Sequence, residues 1–290
     1  PFDGFLSGAA VRDRAALALQ SVSPTHLEDF GECPQKFLLK HILRVRDIDD
    51  PEREVQINHR EKGTLDHSIL ERFYRETPGH EIKAAAVDLP RLPMGLAERL
   101  ERIVDEQFDA FEERAPAFNR SMRGMERRAT KRILRDFVAT DLADLIVRDL
   151  IPQRFEYRFG SKHKNHVPDH PDPFIVDIHG IPLRVEGTVD RIDEGPAGFR
   201  IVDYKSGKAG RHENLGEKID RGVRLQLALY AMAVAEFFGI DAGRVSGTIK
   251  PLVRTETAAE KFAFALGEKS VRLRETLSIF VDSMLNGRFP

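Results

Sequence analysis

Cysteine is almost missing from this sequence: Cys33 stands alone in 290 residues, which excludes an internal disulfide and fits a reducing cytoplasm. No run of about 18 uncharged apolar residues occurs, so nothing reads as a membrane span. The opening Pro1-Phe2-Asp3-Gly4 has no initiator Met and none of the basic and apolar regions of a signal peptide; it reads as the start of a piece excised from a longer chain. An excess of positive charge is lacking too. With 45 Lys and Arg against 47 Asp and Glu, the formal net charge is −2, so contact with a polyanion would have to come from local basic patches. The G-x-S-x-G and H-E-x-x-H signatures of common hydrolases are absent, as are a zinc finger, a basic zipper and any internal repeat. What is present, 41% hydrophobic and 32% charged residues, suffices for one large or two small domains with a proper core.

Two patterns divide the chain. From about Val22 to Leu150, apolar residues recur at spacings of three and four, which predicts helices over 65–74, 94–114 and 129–149. Near Pro152 short β-rich runs take over, at 155–160, 174–178, 183–192 and 199–204. A helix from about Arg224 to Phe238, strands at 245–253 and 261–266, and a closing helix at 269–285 complete the pattern. The expected organisation is a mainly helical region, 1–150, followed by an α/β core, 151–290, with 161–173 as its most loop-like stretch.

Chemistry concentrates in two neighbouring runs, Gly187-Thr188-Val189-Asp190-Arg191-Ile192-Asp193 and Ile201-Val202-Asp203-Tyr204-Lys205-Ser206-Gly207-Lys208. The turn-rich stretch 193–198 between them predicts antiparallel neighbours. Side chains alternate along a strand, so Asp203 and Lys205 share one face, Val202 and Tyr204 the other, and Asp190 shares a face with Glu186. Carboxylates a few Å apart repel unless a cation lies between them, and hard divalent ions prefer such oxygen ligands. A D-x-K triplet alone is weak evidence, arising about once by chance in a chain this charged. The alternative reading is strand-edge ion pairing, Asp203 with Lys205 and Asp190 with Arg191.

Several motifs stand in one order. Ser23-Pro24-Thr25-His26-Leu27-Glu28-Asp29-Phe30 with Cys33-Pro34-Gln35-Lys36-Phe37 resembles the opening of RecB-like and AddB-like nucleases. Gly63-Thr64-Leu65-Asp66-His67 resembles their G-T-x-x-H motif. Gly187-x-x-Asp190-Arg191-x-Asp193, Asp203-x-Lys205-x-Gly207 and Gln226-x-x-x-Tyr230 resemble the three motifs that follow in the RecB branch of the PD-(D/E)xK superfamily. The resemblance spans roughly residues 1–290. It implies a restriction-endonuclease-like mixed sheet flanked by helices, with a helical N-terminal region. It also implies a DNA nuclease dependent on Mg²⁺ or Mn²⁺, an exonuclease domain working with a helicase subunit or domain in the processing of DNA ends. Asp190, Asp203, the Tyr204 carbonyl and His67 would hold the metal, Lys205 would act on water and phosphate, and Gln226 and Tyr230 would share one helical face beside them. A non-catalytic DNA-binding or scaffold domain that keeps the fold is the rival reading. AddB-like members often carry a 4Fe–4S cluster on the cysteine of the C-P motif plus three more beyond the last helix. One thiol cannot build that site, so Cys33 would be a ligand only if a longer chain supplied the rest; in this chain it is expected as a small buried residue.

Other candidates divide between function and bland alternatives. Glu156, between Phe155 and Tyr157, is either an acid backing the metal ligands or a surface residue. His163, His166 and His170 with Asp169 and Asp172 read as a solvated loop, since no rigid element fixes a ligand geometry. Ser206-Gly207-Lys208 fails as a phosphate loop, because Val202 and Ala209 stand where that motif needs Gly and Ser or Thr. For DNA, Arg128, Lys131, Arg132 and Arg135 fall on one helical face, and Lys208, Arg211, Arg221 and Arg224 flank the D-x-K run.

Overall fold

The structure, a computed structural model, describes residues 6, 8–19, 22–45, 57, 59–87, 91–114, 120–160 and 167–290. Helices dominate its first half: α1 (Ala9–Leu19), α2 (Pro24–Glu32), α3 (Pro34–Phe37), α4 (His59–Arg75), α5 (Gly79–Ala84), α6 (Met94–Arg114) and α7 (Arg120–Val147). Then come β1 (Ile151–Phe159), β2 (Phe174–Ile178), β3 (Ile181–Val185), β4 (Gly187–Gly195), β5 (Gly198–Lys205), α8 (Leu215–Asp220), α9 (Gln226–Phe237), β6 (Val245–Pro251), β7 (Ala263–Ala265) and α10 (Leu266–Leu285). The helices expected at 65–74 and 129–149 are there and begin earlier, at His59 and Arg120. Among the described residues no helix is long and apolar enough to cross a membrane.

Five strands form a mixed sheet in the order β1-β4-β5-β6-β7. Only β5 and β6 run parallel, and α8 and α9 make the crossover that such a pair requires. The single strand expected over 183–192 is two. Its first part, β3, pairs with β2 in a separate hairpin, and its second, β4, pairs with β1 and β5; Glu186 lies in the break, so it does not share a strand face with Asp190. The hairpin turns on His179 and Gly180, both with positive φ (54° and 80°), as a two-residue turn that follows the twist of its strands demands. Gly187 opens β4 because nothing larger fits: a Cβ there would lie 2.1 Å from the Tyr230 hydroxyl. Glycine inside a strand often marks such a close approach.

The sheet separates two apolar cores. Below it, α1, α2, α9, α10 and the hairpin bury Leu27, Phe30, Val176, Leu183, Ile201 and most of α9. Above it, α4, α6 and α7 close over Phe155, Val202, Tyr204 and Leu252. Helix α9 is apolar nearly all round and buried from Leu227 to Ala235, as expected of a helix enclosed on every side. Fully burying each of its leucines contributes about 1.5–3 kcal/mol. Its N-terminus has no side-chain cap of its own; Glu28 of α2 supplies one, accepting from the Leu225 and Gln226 amides at 2.7 and 2.8 Å. Helix α2 can come that close because Gly31 packs on the turn before α9, where a Cβ would stand 2.1 Å from the Gly222 carbonyl oxygen.

Candidate active site

The β4–β5 ladder is paired from Gly195–Gly198 to Arg191–Val202, and Asp190 and Asp203 lie just past its open end. Asp190 Oδ2 accepts from the Tyr204 amide at 2.7 Å. From α4, His67 places Nε2 3.1 Å from the Tyr204 carbonyl oxygen and Nδ1 3.5 Å from Asp190 Oδ2. A carbonyl, an imidazole and a carboxylate therefore meet at one point. Glu156 of β1 joins them: ligand atoms of His67, Glu156 and Asp190 all lie within 4.8 Å of one another. Its neighbours Phe155 and Tyr157 pair with Arg191 and Val189, which sets Glu156 across from Asp190. Glu156 has φ +48°, a left-handed conformation that costs a non-glycine residue on the order of 1–3 kcal/mol and clusters at functional sites. It is half-buried, not the surface acid of the alternative reading.

The electrostatics are those of carboxylates short of positive charge. Burial, and then the Asp203 charge, push the Asp190 carboxyl up to about 8, against partial relief from the Tyr204 amide and Lys205. Burial, and then Asp190, push Glu156 up to about 7. Asp203 stands on Lys205, whose Nζ lies 2.8 Å from Asp203 Oδ2; it is not one of the three groups of the cluster, His67, Glu156 and Asp190. Burial would lower the Lys205 ammonium, but Asp203 and Asp190 outweigh it and raise it above its ordinary value. The donor set of two carboxylates, a backbone carbonyl and an imidazole suits a hard divalent ion such as Mg²⁺ or Mn²⁺, and a cation there would relieve the charge that raises Asp190 and Glu156.

Tyr230 and Gln226 line the neighbouring wall. Gln226 Nε2 donates to the Tyr230 hydroxyl at 3.5 Å, and burial pushes the phenol up to about 12, so it stays protonated. The two share a face of α9, held toward the start of β4 by the close contact of Tyr230 with Gly187.

Of the two ion pairs in the alternative reading, Asp203–Lys205 forms and Asp190–Arg191 does not. Adjacent strand residues point to opposite faces, so Arg191 turns away from Asp190 into the upper core. There it is fully buried, 2.6 Å from Asp141 and 2.7 Å from Asp193. Arg200 joins Asp193 to Asp144, Lys250 joins Asp141 to Asp144, and Tyr74 and Tyr204 bond into the same network.

The two basic patches come out differently. On α7, Lys131 lies 2.6 Å from Asp105 and Arg135 is paired with Glu101, both acids of α6; Arg128 and Arg132 are exposed. Near the D-x-K run, Arg224 is taken by Glu32 at 2.8 Å, while Lys208 and Arg211 are exposed. His170 stacks on Phe237 with ring centroids 3.8 Å apart, and Asp169 accepts from the Arg158 amide; His163 and His166 lie outside the described residues. Cys33, expected to be buried, is exposed, because it stands in extended backbone at the junction of α2 and α3.

The PD-(D/E)XK nuclease superfamily pattern matches residues 21–290. Among relatives named as one subunit of an ATP-dependent helicase/deoxyribonuclease, that of Alkaliphilus metalliredigens is 27% identical over 219 residues, 73% of this chain and 17% of the relative. That of Clostridium tetani is 24% identical over 221 residues (74% and 18%), and that of Clostridioides difficile 25% over 230 residues (77% and 18%). The chain thus spans less than a fifth of the length of these relatives. Matched along nearly its whole length, the chain belongs to the PD-(D/E)XK nuclease superfamily.

Proposed function

We propose that this chain is a metal-dependent deoxyribonuclease domain, an exonuclease working beside a helicase subunit or domain in the processing of broken DNA ends. The observation that carries the reading is the pair of half-buried carboxyls, Asp190 and Glu156, raised by burial and by neighbouring carboxylates and converging with His67 on the Tyr204 carbonyl. The names of the relatives support DNA as substrate and a helicase as companion.

Asp190, Glu156, His67 and the Tyr204 carbonyl would hold Mg²⁺ or Mn²⁺, and Asp203, whose charge acts on Asp190, would complete the set once the ion draws it in. When bound, the ion neutralises charge on the phosphate and makes an attacking water more acidic. Lys205 keeps its proton, held by Asp203, and presents a compact positive charge to the phosphate and the attacking water in a site partly withdrawn from solvent. Tyr230, protonated throughout the working range, donates a hydrogen bond toward the DNA backbone, and Gln226 orients its hydroxyl. His67 would ligate through a ring nitrogen.

The test is degradation of end-labelled single- and double-stranded DNA by the intact protein with Mg²⁺, Mn²⁺ or EDTA, comparing wild type with Asp203→Ala and Lys205→Ala. Metal-dependent degradation is expected in the wild type, reduced by about 10²-fold or more in each variant. Equal rates in all three would remove the site from the reaction, and no cleavage under any condition would leave a DNA-binding scaffold.

A further inference from the structure

Between β5 and α9 the chain carries a group of cations whose acidic neighbours are engaged elsewhere: Glu213 accepts from the Thr257 hydroxyl at 2.7 Å and Asp220 pairs with Lys269 of α10. Lys208, Arg211, Lys218 and Arg221 stand within one short connection, and among the described residues no carboxylate lies within 4 Å of the charged atoms of Arg211, Lys218 or Arg221. On α7, by contrast, three cations, Arg127, Lys131 and Arg135, all pair with acids of α6. Lys218 Nζ instead donates to the Arg211 carbonyl at 2.8 Å, so a backbone oxygen and no carboxylate meets the ammonium. Its half-buried ammonium is lowered by burial and then by the charges of Arg224 and Arg221, against Glu213. The chain folds back over Lys218, whose carbonyl accepts from the Val223 and Arg224 amides at 2.9 and 3.3 Å, which fixes the backbone that carries Lys218 and Arg221.

His212 belongs to the same group. Its Nδ1 is buried without a hydrogen-bond partner among the described residues, a state that costs about 1–3 kcal/mol unless something outside the chain completes it. Burial, and then the charges of Lys205 and Arg224, lower the ring to about 4. Strand β5 ends at Lys205, so the connection that carries this group leaves the sheet directly from the candidate active site. Arg224, already held by Glu28 and Glu32, closes it off from α2.

We propose that the β5–α9 connection is a phosphate subsite for the nucleic-acid strand, in which Arg211, Lys218 and Arg221 supply the charge and His212 a hydrogen bond, gripping a backbone phosphate next to the one at Lys205. The choice of DNA as the polyanion rests on the nuclease reading; the anion site itself does not.

The test is therefore binding without chemistry. A labelled single-stranded oligodeoxynucleotide is titrated with the intact protein in EDTA across a range of salt. Each phosphate contact contributes about 0.7 to the slope of log affinity against log salt for a single strand. Lys218→Gln with Arg221→Gln is expected to flatten the slope by about 1.4, so that the wild type loses about sevenfold more affinity than the variant between roughly 50 and 200 mM salt. Lys218→Arg with Arg221→Lys keeps the wild-type slope, and Arg127→Gln with Lys131→Gln on α7 leaves it unchanged. An unchanged slope in the Gln pair, or a flattened slope in the α7 pair alone, overturns the subsite. Displacement of the oligonucleotide by inorganic phosphate at matched ionic strength would also overturn it, in favour of a free-anion site. A slope that changes as expected in a protein that cleaves nothing would keep the subsite and sink the nuclease reading; cleavage with no change in slope would do the reverse.

Discussion

Two charge clusters grow from consecutive residues of the same two strands and end in opposite states. Around Arg191 and Asp193 every charge has a counter-charge. Burial alone would push Asp141 up, yet Arg191 and Lys250 outweigh it and hold its carboxyl far below the ordinary range, and Asp144 follows for the same reason with Lys250 and Arg200. One residue away, around Asp190, carboxylates gather without enough positive charge and rise to about 8 and 7. The alternation of a strand separates a saturated network from an unsatisfied one by a single peptide bond. The first locks α7 to the sheet, and the second is the one we propose to hold a cation beside the substrate.

The difference can be broken from either side. Asp141→Ala leaves Arg191 and Lys250 buried with too few partners and should destabilise the fold by about 3–5 kcal/mol, read from denaturant unfolding. Asp190→Asn acts in the other direction. It removes a carboxylate that burial disfavours and should stabilise the metal-free protein by about 1–3 kcal/mol while abolishing metal binding; a loss of stability of Asp141→Ala size would erase the distinction between the clusters. The pH dependence has a definite sign. Asp190 and Glu156 hold protons in the folded protein that the unfolded chain releases near their ordinary values, so metal-free stability falls as pH rises from about 4 to about 8. Asp190→Asn should flatten that fall, and an unchanged profile would mean that the site is already compensated. The smallest effect belongs to Glu28→Ala, which uncaps α9 and should cost about 0.5–2 kcal/mol, with a Glu28→Gln replacement recovering most of it because its carbonyl can still accept from both amides.

What is legible in the sequence is local. The spacing of Asp190, Asp203 and Lys205, the alternation that puts Tyr204 opposite them, the common face of Gln226 and Tyr230, and most helix spans follow from periods of 2 and 3.6. What is not legible needs distant partners. Nothing near Arg191 in the chain announces Asp141, nothing near Leu225 announces Glu28, and nothing near Lys131 and Arg135 announces the α6 acids that pair with them. Glu156 stays between two readings in the sequence because its left-handed backbone breaks the strand pattern that would have placed it. The break at Glu186 is hidden because Gly187 reads as an ordinary strand residue until Tyr230 is packed on it.

The most direct measurement is calorimetric titration of Mn²⁺ into the intact protein at pH 7, repeated in buffers of different ionisation heat to count protons. The wild type should bind with release of protons from Asp190 and Glu156, more tightly as pH rises, and Asp190→Asn should remain folded and bind nothing at this site. Binding that persists in Asp190→Asn, or that releases no protons in the wild type, would contradict the assignment of this cluster as the metal centre.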